Sequence, residues 1–354
     1  MTIEELIQIK IEKPDQHAME SAQRHWDSIA KPLDGLGRLE KMIVKIAGIT
    51  GNPDVEISKR AVIAMCADNG IVEEGVTQST QEVTAIVSAN MAKGIASVCR
   101  MGKRAGAEVI PVNIGIHDEV NEPGLWDCNI ARGTKNFLKE PAMTQEEMLA
   151  AIACGMETVR KCVESGYRIL ATGEMGIGNT TTSSALACVL LNLPVETVTG
   201  KGAGLSREGI NKKKQVIQQA IEKYDLTASD PLKALQCVGG FDIAGLTGVF
   251  LGGAVYHVPV VIDGVISAVA ALLVERIKPG TKEYMLPSHM SQEPATRGIM
   301  EELDFYPVID ASLALGEGTG AVILFSILDM ALEVYQENTT FEEIHVGQYE
   351  RFEG

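Results

Sequence analysis

Arg168-Ile169-Leu170-Ala171-Thr172 runs directly into Gly173-Glu174-Met175-Gly176-Ile177-Gly178-Asn179-Thr180-Thr181-Thr182, and Ser183 to Leu191 then reads as a helix. A short apolar run, a glycine-rich turn and a helix form the repeating unit of a parallel sheet, in which each buried strand is covered by a crossover helix. Comparable runs stand at Arg60 to Cys66 (RAVIAMC), Glu108 to Asn113 (EVIPVN) and Pro259 to Asp263 (PVVID). Together they predict an α/β chain with a Rossmann-like, mostly parallel sheet and helices on both faces. Residues 284–288 (YMLPS) offer a further strand, weakened by the proline.

In an open sheet of this kind, ligands bind in the crevice beyond the carboxyl ends of the strands. The turns after the runs are therefore the first candidates. Gly176 and Gly178 would let the backbone approach a phosphate, with first-turn N–H groups and the Asn179, Thr180 and Thr181 side chains as donors. A plain tight connection needs the same glycines. The order G-x-x-G-x-G is not the dinucleotide fingerprint, and no lysine follows as a Walker-type loop requires.

A second turn, Gly200-Lys201-Gly202-Ala203-Gly204-Leu205-Ser206, precedes a helix whose second turn carries Lys212, Lys213 and Lys214. Lys213 is either the point charge of a phosphate site or part of a solvated helix face. A third turn, Leu315-Gly316-Glu317-Gly318-Thr319-Gly320, sets Glu317 between glycines ahead of an apolar helix. That carboxylate either caps the helix or, left uncrowded, works on a flat substrate. Asp263 at a strand end is a ribose-hydroxyl acceptor or a cap for the following helix. Asp68-Asn69-Gly70 and Ser288-His289-Met290-Ser291 complete the candidates; a lone His beside Met and Ser reads as structural, and no histidine has ligand spacing to another.

Residues 15–50 read as two helices joined around Lys31-Pro32-Leu33-Asp34-Gly35, and 319–337 as an apolar helix. Packed together, they predict a small helical domain from 1–58 and 320–354 beside a large catalytic domain over 59–319. A length of 354 residues exceeds what one core usually serves, which agrees with two units. The net charge of -16, with no basic run longer than Lys212-Lys213-Lys214, argues against nucleic acid and membrane surfaces as partners. A phosphate-bearing small molecule stays admissible, held by backbone N–H groups and one lysine. The seven cysteines contain no C-x-x-C pair, so neither a disulfide framework nor a zinc site is expected. MTIEELIQIKIEK mixes charge throughout, and no run of about 18 uncharged apolar residues follows. The expectation is a cytoplasmic chain without metal or cofactor.

KPLDGLGRLE, ADNGIVEEGVTQSTQEVT, GEMGIGNTTTSSA, GKGAGL, GGFDIAGLTG, VVIDGVISAVAAL, SHMSQEPA and LGEGTGA stand in this order from about residue 17 to about residue 340. Each is weak alone. In register, they resemble the successive signatures of the nicotinate-nucleotide–dimethylbenzimidazole phosphoribosyltransferase family. The resemblance implies a homodimer that converts nicotinate mononucleotide and 5,6-dimethylbenzimidazole into α-ribazole 5′-phosphate and nicotinate, for the lower nucleotide loop of cobalamin. It implies Glu317 as the catalytic residue, and phosphate-binding turns at Gly176 to Thr181 and Gly202 to Gly204, with Lys213 and Ser291 beside them. Where the family usually has Asp-His-Gly this chain has Asp68-Asn69-Gly70, and where it has Tyr-Pro-Gln-Glu-Val-Thr this chain has Ser79 to Thr84. That stretch contributes to the base pocket, so the departure bears on the base and leaves the reaction class intact.

The implied chemistry suits the residues. A pyridinium nitrogen leaves as neutral nicotinate without proton or metal, and a transition state resembling an oxocarbenium ion favours a nearby carboxylate, for which Glu174 is the candidate. The attacking imidazole loses its N–H as the new bond forms, and Glu317 is placed to take it. Met175, Leu315, Ser79, Thr80 and Gln81 are the expected base contacts. Transferases using phosphoribosyl pyrophosphate need two neighbouring acids, whereas Val260 to Ser267 holds only Asp263. A carrier that only binds a nucleotide would have no use for the general base, and a NAD enzyme would need the fingerprint that is missing.

Overall fold

The computed structural model describes residues 1–352. Its strands are β1 (Arg60–Ala67), β2 (Ala107–Gly115), β3 (Trp126–Asp127), β4 (Ile169–Met175), β5 (Val260–Ile262) and β6 (Met285–Pro287). They form one sheet in the order β3-β2-β1-β4-β5-β6, and every neighbouring pair is parallel. This is the doubly wound order, in which the chain builds outward from β1 in one direction and from β4 in the other. The switch point between β1 and β4 opens a crevice at the strand ends.

The alternation of side chains along each strand divides the core in two. Ala61, Ile63 and Met65 of β1 face the helices Gln145–Glu164, Phe241–Val255 and Val265–Ile277. Val62, Ala64 and Cys66 face the other way, towards the helices Gln16–Ser28, Arg38–Thr50 and Thr319–Glu337. The helices from the two ends of the chain thus share one apolar cluster with a face of the sheet. Their loop is tied by a buried pair: Lys31 Nζ lies 2.7 Å from Glu40 Oε1, which also accepts the Leu36 N–H. Thr319–Glu337 is long and apolar enough to cross a membrane, yet 56% of its most apolar 18-residue stretch is buried in this protein, where Val322, Phe325 and Leu328 help fill the core.

Three elements differ from the sequence reading. β4 continues three residues past Thr172, so Gly173, Glu174 and Met175 belong to the strand and the turn proper is Gly176 to Gly178. The following helix starts at Asn179 instead of Ser183, because Gly178, with φ 95°, turns the chain straight into it. β3 escaped notice because two residues carry no periodicity. Pro287 sits in the edge strand β6, where its missing N–H leaves no ladder partner waiting on the open side.

Two helices on the first face are in near backbone contact. A side chain at Gly155 would run into the Gly245 carbonyl, and one at Gly248 into the Ile152 carbonyl. Gly248→Val should therefore cost roughly 1–3 kcal/mol through overpacking, or more where backbones must part. Urea unfolding would measure it, and a midpoint equal to that of the parent chain would refute the close crossing.

Candidate active site

The switch-point crevice is a cleft of about 240 Å³. β4 delivers Glu174 and Met175 to its floor, the turn Gly176 to Gly178 and the start of the Asn179–Leu191 helix form one wall, and Leu313 to Glu317 form another. Close packing demands glycine here. A Cβ at Gly176 would lie 2.6 Å from both the Ala67 carbonyl and Asp242 Oδ2, and one at Gly173 would lie 2.5 Å from the Glu317 carbonyl.

Glu317 sits in a run of three left-handed residues, with φ 82° at Gly316, 62° at Glu317 and 93° at Gly318. For a residue with a side chain this is an uncommon conformation that the surroundings must enforce, and such strain gathers at working sites. The enforcing group is Asp263. It is 2% exposed, and its carboxylate accepts the N–H groups of Gly318 (3.1 Å), Gly320 (2.9 Å) and Ala321 (3.1 Å). Asp263 thus lines the cleft but has both oxygens engaged. The helix it caps is the distant Thr319–Glu337, not the one that follows it in sequence, and the ribose-acceptor alternative meets a carboxylate already committed.

Glu317 Oε2 accepts the Val98 N–H at 3.1 Å. Burial pushes its pKa above the ordinary carboxylate value, with the Val98 N–H pulling it back. Glu174 is shifted further. Burial pushes it up to about 8, opposed by the Asn179 amide and reinforced by the charges of Asp242 and Asp263. Asn179 Nδ2 bridges the two acids, donating to Glu174 Oε2 and, at 3.0 Å, to Asp242 Oδ2. Asp242 is itself raised by burial to about 6.

The other end of the cleft carries a buried cation. Lys213 is fully buried, and its Nζ donates to Thr180 Oγ1 at 2.9 Å. Gly202, with φ 51°, closes against the same hydroxyl, and Ser291 lines the cleft nearby. The solvated-face reading of Lys213 is thereby set aside: it points inward while Lys212 and Lys214 stay outside its burial.

The structure brings together Glu174, Met175, Gly176, Gly178, Asn179, Thr180, Gly202, Asp263, Ser291, Leu315 and Glu317 along one cleft. Lys213 stands directly behind Thr180. Thr181 is buried away from the cleft with no partner for its hydroxyl. Gly204, with φ 100°, contributes a carbonyl that accepts from Gln78 Nε2. Ser79, Thr80 and Gln81 lie beyond the rim, and Val76, Thr77 and Gln78 line it in their place. Sequence reasoning also passed over Asp242, Glu293 and the Asn69 contact. Asp242 and Glu293 lay inside quoted motifs, GGFDIAGLTG and SHMSQEPA, but nothing local marked them. Asn69 is buried beneath the cleft, where its side chain acts on Asp242. His289 is held by Ser288 Oγ at 2.9 Å, and burial lowers its pKa. Among the described residues no cluster of three or more His, Cys, Asp or Glu is arranged for a metal.

Comparison with known proteins fits this geometry. A family model described as phosphoribosyltransferase matches residues 11–346. A protein of Ruminiclostridium cellulolyticum named nicotinate-nucleotide–dimethylbenzimidazole phosphoribosyltransferase is 44% identical over 353 residues, covering 100% of both chains. One of the same name from Halalkalibacterium halodurans is 41% identical, covering 95% of this chain and 94% of that one. The crystal structure of CobT from Thermus thermophilus superposes with a TM-score of 0.89 at 35% identity, over 94% of this chain and 100% of that one. Fold, cleft and family match define the class, a phosphoribosyltransferase. Within it, the chain belongs to the nicotinate-nucleotide–dimethylbenzimidazole phosphoribosyltransferase family, as the motif series had implied.

The raised Glu174 pKa makes a pH prediction. Between about pH 6 and about pH 8 the folded chain keeps a proton on Glu174 that the unfolded chain has already released, so stability falls as pH rises through that window. Glu174→Gln should flatten the fall. Chemical denaturation of both proteins at the two pH values tests this, and an unchanged slope would rule out a protonated Glu174.

Proposed function

We propose that this chain transfers the 5-phosphoribosyl group of nicotinate mononucleotide to a lower-ligand base, 5,6-dimethylbenzimidazole, with inversion. The products are α-ribazole 5′-phosphate and nicotinate, for assembly of the cobalamin nucleotide loop. The observation that carries the reading is the pairing of two carboxylates, Glu174 and Glu317, at one end of a glycine-lined cleft whose other end presents Thr180 and Gly202, with Lys213 buried behind the Thr180 hydroxyl.

In this reading the donor phosphate lies against Gly176 to Thr180, Gly202 and Ser291, with Lys213 as its counter-charge through the Thr180 hydroxyl. The anomeric carbon then lies over Glu174. A pyridinium, and after it an oxocarbenium-like ring, is a positive charge beside a carboxyl whose burial has raised its pKa. That charge favours the carboxylate form, so Glu174 stabilises the transition state more than the free site. The incoming base lies between Met175 and Leu315, with its N–H towards Glu317. A pKa above the ordinary carboxylate value makes Glu317 a better proton acceptor than a solvated glutamate. The leaving group departs with its ring neutral and takes no proton, so the one proton transfer is from the base N–H to Glu317. The same proposal includes a cytoplasmic homodimer and the division into a terminal helical unit (1–58 and 320–354) and a catalytic unit (59–319).

The test is to incubate the purified protein in EDTA with nicotinate mononucleotide and a panel of benzimidazoles, purines and phenols, following free nicotinate and new ribosides by mass spectrometry. Nicotinate released in step with an α-riboside phosphate is the expected result, and the panel names the base. Glu317→Gln should fold normally and lose on the order of 10²- to 10⁴-fold in turnover. A variant with near-parental turnover would remove Glu317 from the role of base.

A further inference from the structure

The anion cradle already contains an anion of its own. Glu293 Oε1 accepts the Gly202 N–H at 2.9 Å. Gly200 lacks a side chain where the rest of that carboxylate lies, since a Cβ there would run into Glu293 Oε2. Lys213 is 0% exposed, and burial pulls its pKa down to about 8, while the one charge acting to raise it is Glu293. A lysine so enclosed holds its proton only where a compensating charge stands nearby. The Glu293 carboxylate, from the loop ahead of the helix Ala295–Leu303, is thus bonded to the turn at 200–204, and Lys213 of the helix Arg207–Tyr224 feels its charge while bonding to Thr180.

We infer that Glu293 is a placeholder counter-ion: it occupies the phosphate cradle before substrate enters, holds the Gly202 turn in its binding shape and keeps Lys213 charged, and it gives way when a phosphate arrives. The inference rests on the reading of this cradle as the donor-phosphate site and adds the residue that controls how readily the cradle accepts one. One lysine and one turn cannot serve two anions at full strength. Occupancy by Glu293 therefore lowers affinity at a pH where Lys213 is charged in any case, and raises it where Lys213 would otherwise lose its proton. The charged groups around Lys213 are few. Glu293 faces it from the loop and Lys201 stands at the cleft rim, while the neutral Thr180 hydroxyl meets it from the Asn179–Leu191 helix.

Removing the carboxylate should thus act in opposite directions at two pH values. Calorimetric titration of inorganic phosphate and of ribose 5-phosphate would be run on the parent protein, Glu293→Gln and Glu293→Ala, at about pH 6.5 and about pH 9. Glutamine keeps an oxygen for the Gly202 N–H, and circular dichroism checks that both variants fold. At the lower pH both variants should bind phosphate roughly 5- to 50-fold more tightly than the parent, the size expected for removing a like charge at contact range in a partly screened site. At the higher pH the advantage should vanish or reverse. Equal or weaker phosphate binding by both variants at the lower pH would overturn the inference and make Glu293 a ligand-holding or purely structural group. Because inorganic phosphate is the probe, failure of the parent protein to consume nicotinate mononucleotide would remove the donor reading without touching this result.

Discussion

A single buried carboxylate fixes the relation between the sheet and the loop that carries Glu317. Asp263 leaves the end of β5 and gathers three backbone N–H groups from the start of the helix Thr319–Glu337. Hydrogen bonds from neutral donors to an ionised acceptor are short and strong, and the helix dipole adds to them. One of the three donors is Gly318, so the same contact that anchors the helix also draws the loop down onto β4. The loop can descend that far only because Gly173 and Gly318 present no Cβ at the contact. Glu317 is then left with a left-handed backbone and its side chain turned across the cleft towards Val98. Anchoring of the C-terminal helix and placement of the proposed base are therefore one constraint seen from two sides.

The electrostatics of the cleft run against the charge of the molecule as a whole. A chain with a net charge of -16 repels anions at long range, but salt screens that field over about 10 Å and the cleft has its own local balance. At one end a buried lysine stands behind a threonine hydroxyl, beside a glycine turn that donates to Glu293. At the other, Glu174 and Asp242 share one asparagine donor, and burial holds both above the ordinary carboxylate range. The cleft therefore has a buried cation with a hydroxyl on one side and two raised carboxyls on the other, with Glu293 as a third carboxylate on the cation's side.

The sequence by itself determined the class of architecture. β1 is buried along its full length, and its alternate residues feed two different core clusters. That periodicity, with the glycine turns after RILAT and PVVID, suffices to specify a parallel sheet with a site at its carboxyl ends. The motif series named the family, and the glycines flanking Glu317 and the cluster Gly176 to Thr180 were legible as cleft residues, because tight turns need residue types that stand out. Only tertiary structure decided the partners. Asp263 could have capped its own following helix. It caps one that begins far along the chain at Thr319, because β5 ends beside that helix, not because of anything adjacent in sequence. Lys213 was indistinguishable from Lys212 and Lys214 until helix rotation pointed it at Thr180. Glu293, Asp242 and the shift of the rim from Ser79–Gln81 to Val76–Gln78 left no local trace at all. Periodicity and glycine are local signals and survive in one dimension; which charge faces which depends on how distant segments meet, and only the folded chain fixes that.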